Sequence, residues 1–166
     1  MGLQLVDLNT RATTDETAHC RICGDTLTQT FVDLGMSPLC ESFLTREQLD
    51  QMEPYYPLHA LVCGTCFLVQ LKEYVSPGEI FTEYAYFSSY STSWVEHART
   101  YCHMIQARLG LGTQSLVVEL ASNDGYLLQH FPPLGVPVLG IEPAANVAKV
   151  ARDKGIPTIV DFFGVR

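Results

Sequence analysis

Basic residues are scarce: 10 Lys and Arg face 18 Asp and Glu, for a formal net charge of −8 over 166 residues. Attraction to a phosphate backbone needs the opposite balance, so nucleic acid is a poor partner for this chain. Long apolar runs are lacking too. No stretch approaches the roughly 18 apolar residues of a membrane span, and the opening MGLQLVDLNT is too short and too often interrupted for the apolar core of a secretory signal. Gly2 lacks its myristoylation companion, because Val6 stands where that motif wants Ser or Thr. These absences predict a soluble, cytoplasmic chain with no membrane partner. Charged residues make up only 17% against 47% hydrophobic, which excludes an acidic disordered tail and leaves enough apolar side chain for a core. At roughly 100–200 residues per domain, the length fits one domain or two small ones.

Four segments follow from the texture of the chain. Residues 1–18 carry no periodic pattern and end in the polar string TRATTDETA, which predicts a flexible lead-in. Residues 19–75 are short apolar pieces punctuated by Gly, Pro and Cys, with TREQLDQM as the only helical candidate. At that size a core alone is marginal, so a metal or disulfides should help hold it. Residues 76–112 hold the aromatic string IFTEYAYFSSYS and then a helix expected over about 93–109. Ser93 and Glu96 read as a capping box; Trp94, Ala98, Tyr101, Ile105 and Leu109 recur at helical spacing, and Gly110 and Gly112 stop it. From 113 to 166 the texture alternates. LVVELA (116–121) reads as a strand buried on both faces, YLLQHF (126–131) as a short helical piece stopped by Pro132 and Pro133. A strand at 136–142, a helix at 144–154 and a strand at 157–163 complete two parallel βαβ units.

The cysteines carry the most specific pattern. Cys20 and Cys23 form one C-x-x-C pair and Cys63 and Cys66 another. Each tight turn can present two thiolates to one ion, and two turns close the tetrahedron that Zn²⁺ prefers. Gly24 and Gly64 would ease the cramped backbone of such turns. Structural zinc is the favoured reading, since the pairs bracket the one segment without a core of its own. The alternatives are a redox C-x-x-C, against which stands the absence of a strand-to-helix junction; structural disulfides, uncommon in cytoplasm; and catalytic zinc, which needs an open position that four thiolates do not leave. Cys40 and Cys102 read as small buried hydrophobes.

A second constellation lies in LVVELASNDG. Glu119 ends a strand, and Ala121, Asn123 and Gly125 alternate through the following loop, where a ligand at the carboxyl edge of a parallel sheet is approached closely. The G-x-G-x-x-G of a pyrophosphate cradle is absent, while Glu142 closes the next strand, where a carboxylate can accept hydrogen bonds from ribose hydroxyls. Alone, Glu119 is as readily a strand-end charge. Together these residues point to S-adenosylmethionine, which has a ribose and no phosphate.

The motifs CRICG, LGMSPLCESF, YPLHALVCGTCFLVQL, EYAYFSSYSTSW and VVELASNDGYLLQHF followed by GIEPAANVA resemble, in this order, the sugar C-methyltransferases of deoxysugar biosynthesis, a class that serves antibiotic biosynthesis. The resemblance runs from about Cys20 to Phe163. It implies an α/β chain: a small four-cysteine zinc domain, a linker helix and the first three parallel strands of a Rossmann-like S-adenosylmethionine methyltransferase domain. It implies Cys20, Cys23, Cys63 and Cys66 as zinc ligands; Glu119, Ala121, Asn123 and Gly125 as the methyl-donor loop; and Glu142 as the ribose position. It also implies Tyr84, Tyr86, Ser89 and Tyr90 as the side facing the sugar, although by themselves those tyrosines read as packing aromatics. The reaction so implied is methylation at C3 of a nucleotide-linked 4-keto-deoxysugar, in which the keto group acidifies the C3 hydrogen and donors hold the enolate.

The family's base is a histidine in a Glu-His pair after a later strand. Glu96-His97 has those letters but precedes the first strand of the parallel sheet, and His97 and His103 read as surface residues. The expectation is therefore the N-terminal portion of such an enzyme, inactive alone, with an open strand edge at Val117 and Val118 available to a complementing chain or to self-association. A different class of reading is a non-enzymatic zinc-binding interaction module that uses that edge to pair with a partner chain.

Overall fold

The computed structural model describes residues 17–164; the expected lead-in therefore falls almost wholly outside the described residues. The chain divides into two units, one running through Ser37 with Tyr55–Tyr74, the other made of Pro38–Pro54 and everything from Val75 on. The excursion Pro38–Pro54, read from sequence as part of 19–75, thus groups with the second unit. No helix among the described residues is long and apolar enough to cross a membrane.

The first unit is an antiparallel sheet of β1 (Gln29–Ser37), β2 (Tyr56–Val62) and β3 (Val69–Leu71) in the order β1-β2-β3. Gln29 opposes Val62, and bulges between Thr30 and Val32 and between Asp33 and Met36 bend the ribbon. This sheet buries little: Phe31, Leu34 and Met36 are all more than half exposed. Its buried cluster is Cys20, Leu27 and Cys63, with Ala18, Leu61 and Leu68 against it. Burial of that extent does not hold a domain of this size, as the sequence anticipates.

In the second unit, a one-turn 3-10 helix at Arg46–Gln48 stands where TREQLDQM suggests a longer helix. Helix α1 (Pro77–Phe81) follows with Ser76 as N-cap, Glu79 closing the reciprocal capping pair and Pro77 at the first helical position. Helix α2 spans Thr92–Leu109 and ends at Gly110 with φ 64, as expected. Its start differs: Ser91, not Ser93, is the N-cap, its hydroxyl accepting from Trp94 N at 3.3 Å, and Glu96 is taken by Arg99 instead of closing a capping box. The face expected from the spacing is buried only in part. Ala98 and Cys102 are buried and Ile105 packs on the core, whereas Trp94, Tyr101 and Leu109 remain 44%, 42% and 61% exposed.

The parallel sheet is β4 (Val117–Leu120), β5 (Val138–Ile141) and β6 (Thr158–Ile159), ordered β4-β5-β6, with α3 (Ala145–Asp153) between β5 and β6. Three sequence expectations are corrected here. YLLQHF forms a 3-10 turn at Leu128–His130, and Pro132 starts a second one instead of only ending the first. The last strand is two residues long, because the chain turns at Asp161, whose Oδ1 accepts Phe162 N at 2.9 Å. And β4 is not buried on both faces: Val117 and Glu119 point towards the covered side, while Val118 and Leu120 are nearly half exposed. Among the described residues β4 pairs only with β5, so its other edge is open. The core lies on the covered face, where Cys102, Leu128, Phe131, Val136, Val138, Ala151 and Ile156 pack together. Burying a side chain such as Phe131 contributes about 1.5–3 kcal/mol.

Candidate functional site

Two turns in the first unit bring the four cysteines together. In the first, Gly24 N donates to Cys20 O at 2.8 Å and Gly24 takes φ 77. The second repeats it: Phe67 N donates to Cys63 O at 3.1 Å, and Phe67, not Gly64, adopts the left-handed φ of 62. In both turns the left-handed residue lies four beyond the leading cysteine. The Sγ atoms of Cys20, Cys23, Cys63 and Cys66 all fall within 4.8 Å of one another. Cys20 to Cys66 and Cys23 to Cys63 are each 3.5 Å apart, and none is in a disulfide. Zn–S bonds of about 2.3 Å in a tetrahedron separate the sulfurs by roughly 3.8 Å; the cluster has that scale.

Its surroundings favour thiolate at Cys20 and Cys63. Cys63 Sγ faces Thr65 N at 3.4 Å and Cys66 N at 3.5 Å, and Gln70 Nε2 donates to Cys20 Sγ at 3.3 Å. The Cys23 amide, then Gln70 against the cost of burial, holds the Cys20 thiol down at about 6. Cys23 has the Asp25 amide in its favour, but the Cys63 sulfur and burial push it up to about 12. Without a cation, one thiolate thus suppresses its neighbour; a divalent ion removes that conflict. Gln70, 8% exposed, was not singled out from sequence. Its Oε1 accepts Arg21 N at 3.1 Å, so it ties the first turn to β3.

The second constellation surrounds a cavity of about 600 Å³ at the carboxyl ends of β4, β5 and β6. Of the residues nominated from sequence, Ala121, Asn123, Glu142, Tyr84 and Tyr86 line it, joined by Tyr126, Asp161 and Phe162. Ala121 and Asn123 hold φ 56 and 50, left-handed values that fold the loop back over the strand ends. Glu142 fixes that loop. Buried at 5% exposure, it accepts Asn123 N on Oε2 and Ala144 N on Oε1, both at 2.9 Å. Each oxygen keeps a second lone pair for a ligand. Gly140 lets the loop lie close, because a Cβ there would press on Ser122 Oγ and sit 3.0 Å from Ser122 Cβ.

The remaining nominees lie apart from the cavity lining. Gly125 packs inward, where a Cβ would meet Ile156 and Ala151. Tyr90 is 93% exposed. Ser89 is tied to Lys154, whose Nζ donates to its hydroxyl at 2.7 Å. Glu119 lies on the covered face of β4 with Oε2 buried and unpartnered. Burial, and then the charge of Glu142, push its carboxyl up to about 7. Protonated Glu119 is the form folding favours, so stability should fall as pH rises from the unfolded carboxyl value through about 7 and level off above it. Glu119→Gln should remove that slope, melting higher than the parent at pH 8 and alike near pH 5. Equal pH dependence of Tm in the two proteins would contradict this.

A sulfur cluster on the scale of a tetrahedral site and a parallel sheet with a carboxylate-edged cavity together define a zinc-binding chain with an α/β unit. Residues 20–81 match a family described as "Putative zinc binding domain". The chain is also similar to the C-methyltransferase NovU of Streptomyces niveus, 36% identical over 141 residues, which is 85% of this chain and 34% of that protein. By these two matches the chain carries the zinc-binding domain over residues 20–81 and is similar to a C-methyltransferase along most of its own length. It spans about a third of the length of that relative.

Proposed function

We propose that this chain is the zinc-bearing and donor-binding portion of an S-adenosylmethionine-dependent C-methyltransferase that acts at C3 of a nucleotide-linked 4-keto-deoxysugar, its second unit being the first part of a Rossmann-like domain. The observation that carries the reading is the composition of the cavity. Glu142 and Asp161 line it with no Lys or Arg among its described residues, which suits a sulfonium-bearing nucleoside and not a diphosphate. S-adenosylmethionine supplies an electrophilic methyl group. Glu142 takes ribose hydroxyls on its spare lone pairs, and Phe162 with Ile141 offers apolar surface to the base. Burial raises the pKa of Tyr84 and of Tyr126. Both phenols therefore stay protonated and can donate to a developing enolate oxygen.

The chain binds donor without turning it over on its own. Calorimetry of the zinc-loaded chain with S-adenosylhomocysteine tests the reading: saturable binding supports it, and none at millimolar ligand refutes it. Methyl transfer to a keto-sugar nucleotide by the chain alone would refute the inactivity. A second reading, a zinc-binding module that pairs with a partner chain, is favoured by the open edge of β4 and by Val118, Leu120 and Ile159, each nearly half exposed. Size exclusion separates the two, since a stoichiometric complex with a complementing chain, without donor binding, supports the module.

A further inference from the structure

The tyrosine-rich segment and the loop after β4 are held together by side chains that the proposed reaction does not use. Asn123 spends both ends of its amide on that segment: Oδ1 accepts Ser88 N at 2.8 Å and Nδ2 donates to Tyr86 O at 3.1 Å. Asn146, in the first turn of α3, does the same at Tyr84, accepting its N–H at 3.1 Å and donating to its carbonyl at 2.8 Å. The two amides therefore stand in for a neighbouring strand and pin the backbone at 84, 86 and 88, which fixes the two tyrosines that line the cavity. A third tie is ionic. Lys154 Nζ reaches Ser89 Oγ, Asp124 O at 3.0 Å and Asp124 Oδ2 at 3.3 Å, neutralising a carboxylate that is 2% exposed.

Resting on the donor reading above, we infer that Asn123 and Asn146, with Lys154, are positioning residues. They lash the segment 84–89 to the donor loop, so that filling the donor cavity and setting Tyr84 and Tyr86 are one event. The route is short. Glu142, the group assigned to the ribose, accepts the Asn123 backbone amide, and the Asn123 side chain carries Tyr86 and Ser88. A ligand that tightens Glu142 against the loop thereby tightens the tyrosines, a coupling between two sites through one shared residue.

Asn123→Gly isolates the tie, since glycine accepts φ 50 without strain and removes only the side chain. Asn146→Ala removes the second tie at a position where alanine suits a helix. Amide hydrogen exchange reads both. In the ligand-free chain, Ser88 N–H should exchange about tenfold faster in Asn123→Gly, and Tyr84 N–H likewise in Asn146→Ala, the loss of about one hydrogen bond. The amides of α2 should be unmoved. Saturating S-adenosylhomocysteine should slow Ser88 exchange in the parent by about threefold or more. Unchanged Ser88 exchange in ligand-free Asn123→Gly would overturn the inference, as would ligand binding to the parent that leaves residues 84–89 unaffected. If the parent binds no S-adenosylhomocysteine, the donor reading falls and the coupling with it, while the ligand-free exchange still decides whether the ties position the segment.

Discussion

Cys63→Ser is expected to strip the metal from the chain and to unfold the β1–β3 unit while the β4–β6 sheet survives. Cys63 is fully buried and sits in a cluster whose other buried members are only Cys20 and Leu27. A structural zinc contributes about 10–16 kcal/mol to folding where no site exists in the unfolded chain, which matches or exceeds the 5–15 kcal/mol typical of a whole domain. The apolar burial in this unit cannot make up that difference. Serine keeps the shape but offers a poor ligand and loses the sulfur on which the Thr65 and Cys66 amides converge. Zinc after gel filtration should fall from about one equivalent to below roughly a tenth, and amide dispersion of β1–β3 should collapse. Treating the parent with a strong chelator should give the same spectrum, with recovery on adding zinc. Cys40, exposed where the sequence suggested a buried hydrophobe, lies outside the cluster and supplies the control, and Cys40→Ser should keep its metal. Full zinc content in Cys63→Ser, or dispersed β1–β3 signals after chelation, would show that the unit stands without the ion.

That expectation was legible in the sequence because C-x-x-C spacing is local: two thiolates on one turn are fixed by a few dihedrals. The same holds for the end of α2, where Gly110 announces itself. Elsewhere the local signal was degenerate. Ser91 and Ser93 both offer a hydroxyl ahead of Trp94, and Glu96 completes a box with Ser93 on paper, yet Arg99 lies one turn on and claims it. Helical spacing indicated an apolar stripe on α2 but not which of its members are covered. Small Ala98 is buried and Cys102 packs with Phe131 and Leu128, while Trp94 and Tyr101 stay outside, because close packing rewards fit over bulk. The continuous apolar run of β4 suggested two buried faces, but the run records composition and not what covers it. The ties made by Asn123 and Asn146 were out of reach of the sequence. Asn146 and Tyr84 are 62 positions apart, and an asparagine in the first turn of a helix carries no mark of such a partner.

Glu142→Gln should have the second largest effect, and it separates two roles that the sequence merged. From sequence, Glu142 is a ribose ligand; in the fold it is first a clamp, accepting Asn123 N and Ala144 N on its two oxygens. Glutamine has one acceptor, so whichever way its amide turns, an NH₂ faces a backbone N–H and a buried donor goes unpaired, at about 1–3 kcal/mol. Neither amide has a ready substitute. Ala144 is the N-cap of α3 and has no side chain with which to cap it, and Asn123 sits at φ 50, held in place by this bond. The ligand-free protein should lose about 4–8 °C in the melting of the β4–β6 unit per kcal/mol lost. Affinity for S-adenosylhomocysteine should drop by about tenfold or more as the loop relaxes. Glu142→Asp keeps the charge but is one methylene short of spanning both amides, so it should restore little of the stability. A clamp and a ligand predict different things without ligand present: an unchanged Tm in Glu142→Gln alongside weakened donor binding would assign the carboxylate to the ribose alone. A lowered Tm, with faster exchange at Ser88 transmitted through Asn123, marks it as the residue that holds the cavity open and its tyrosines in place.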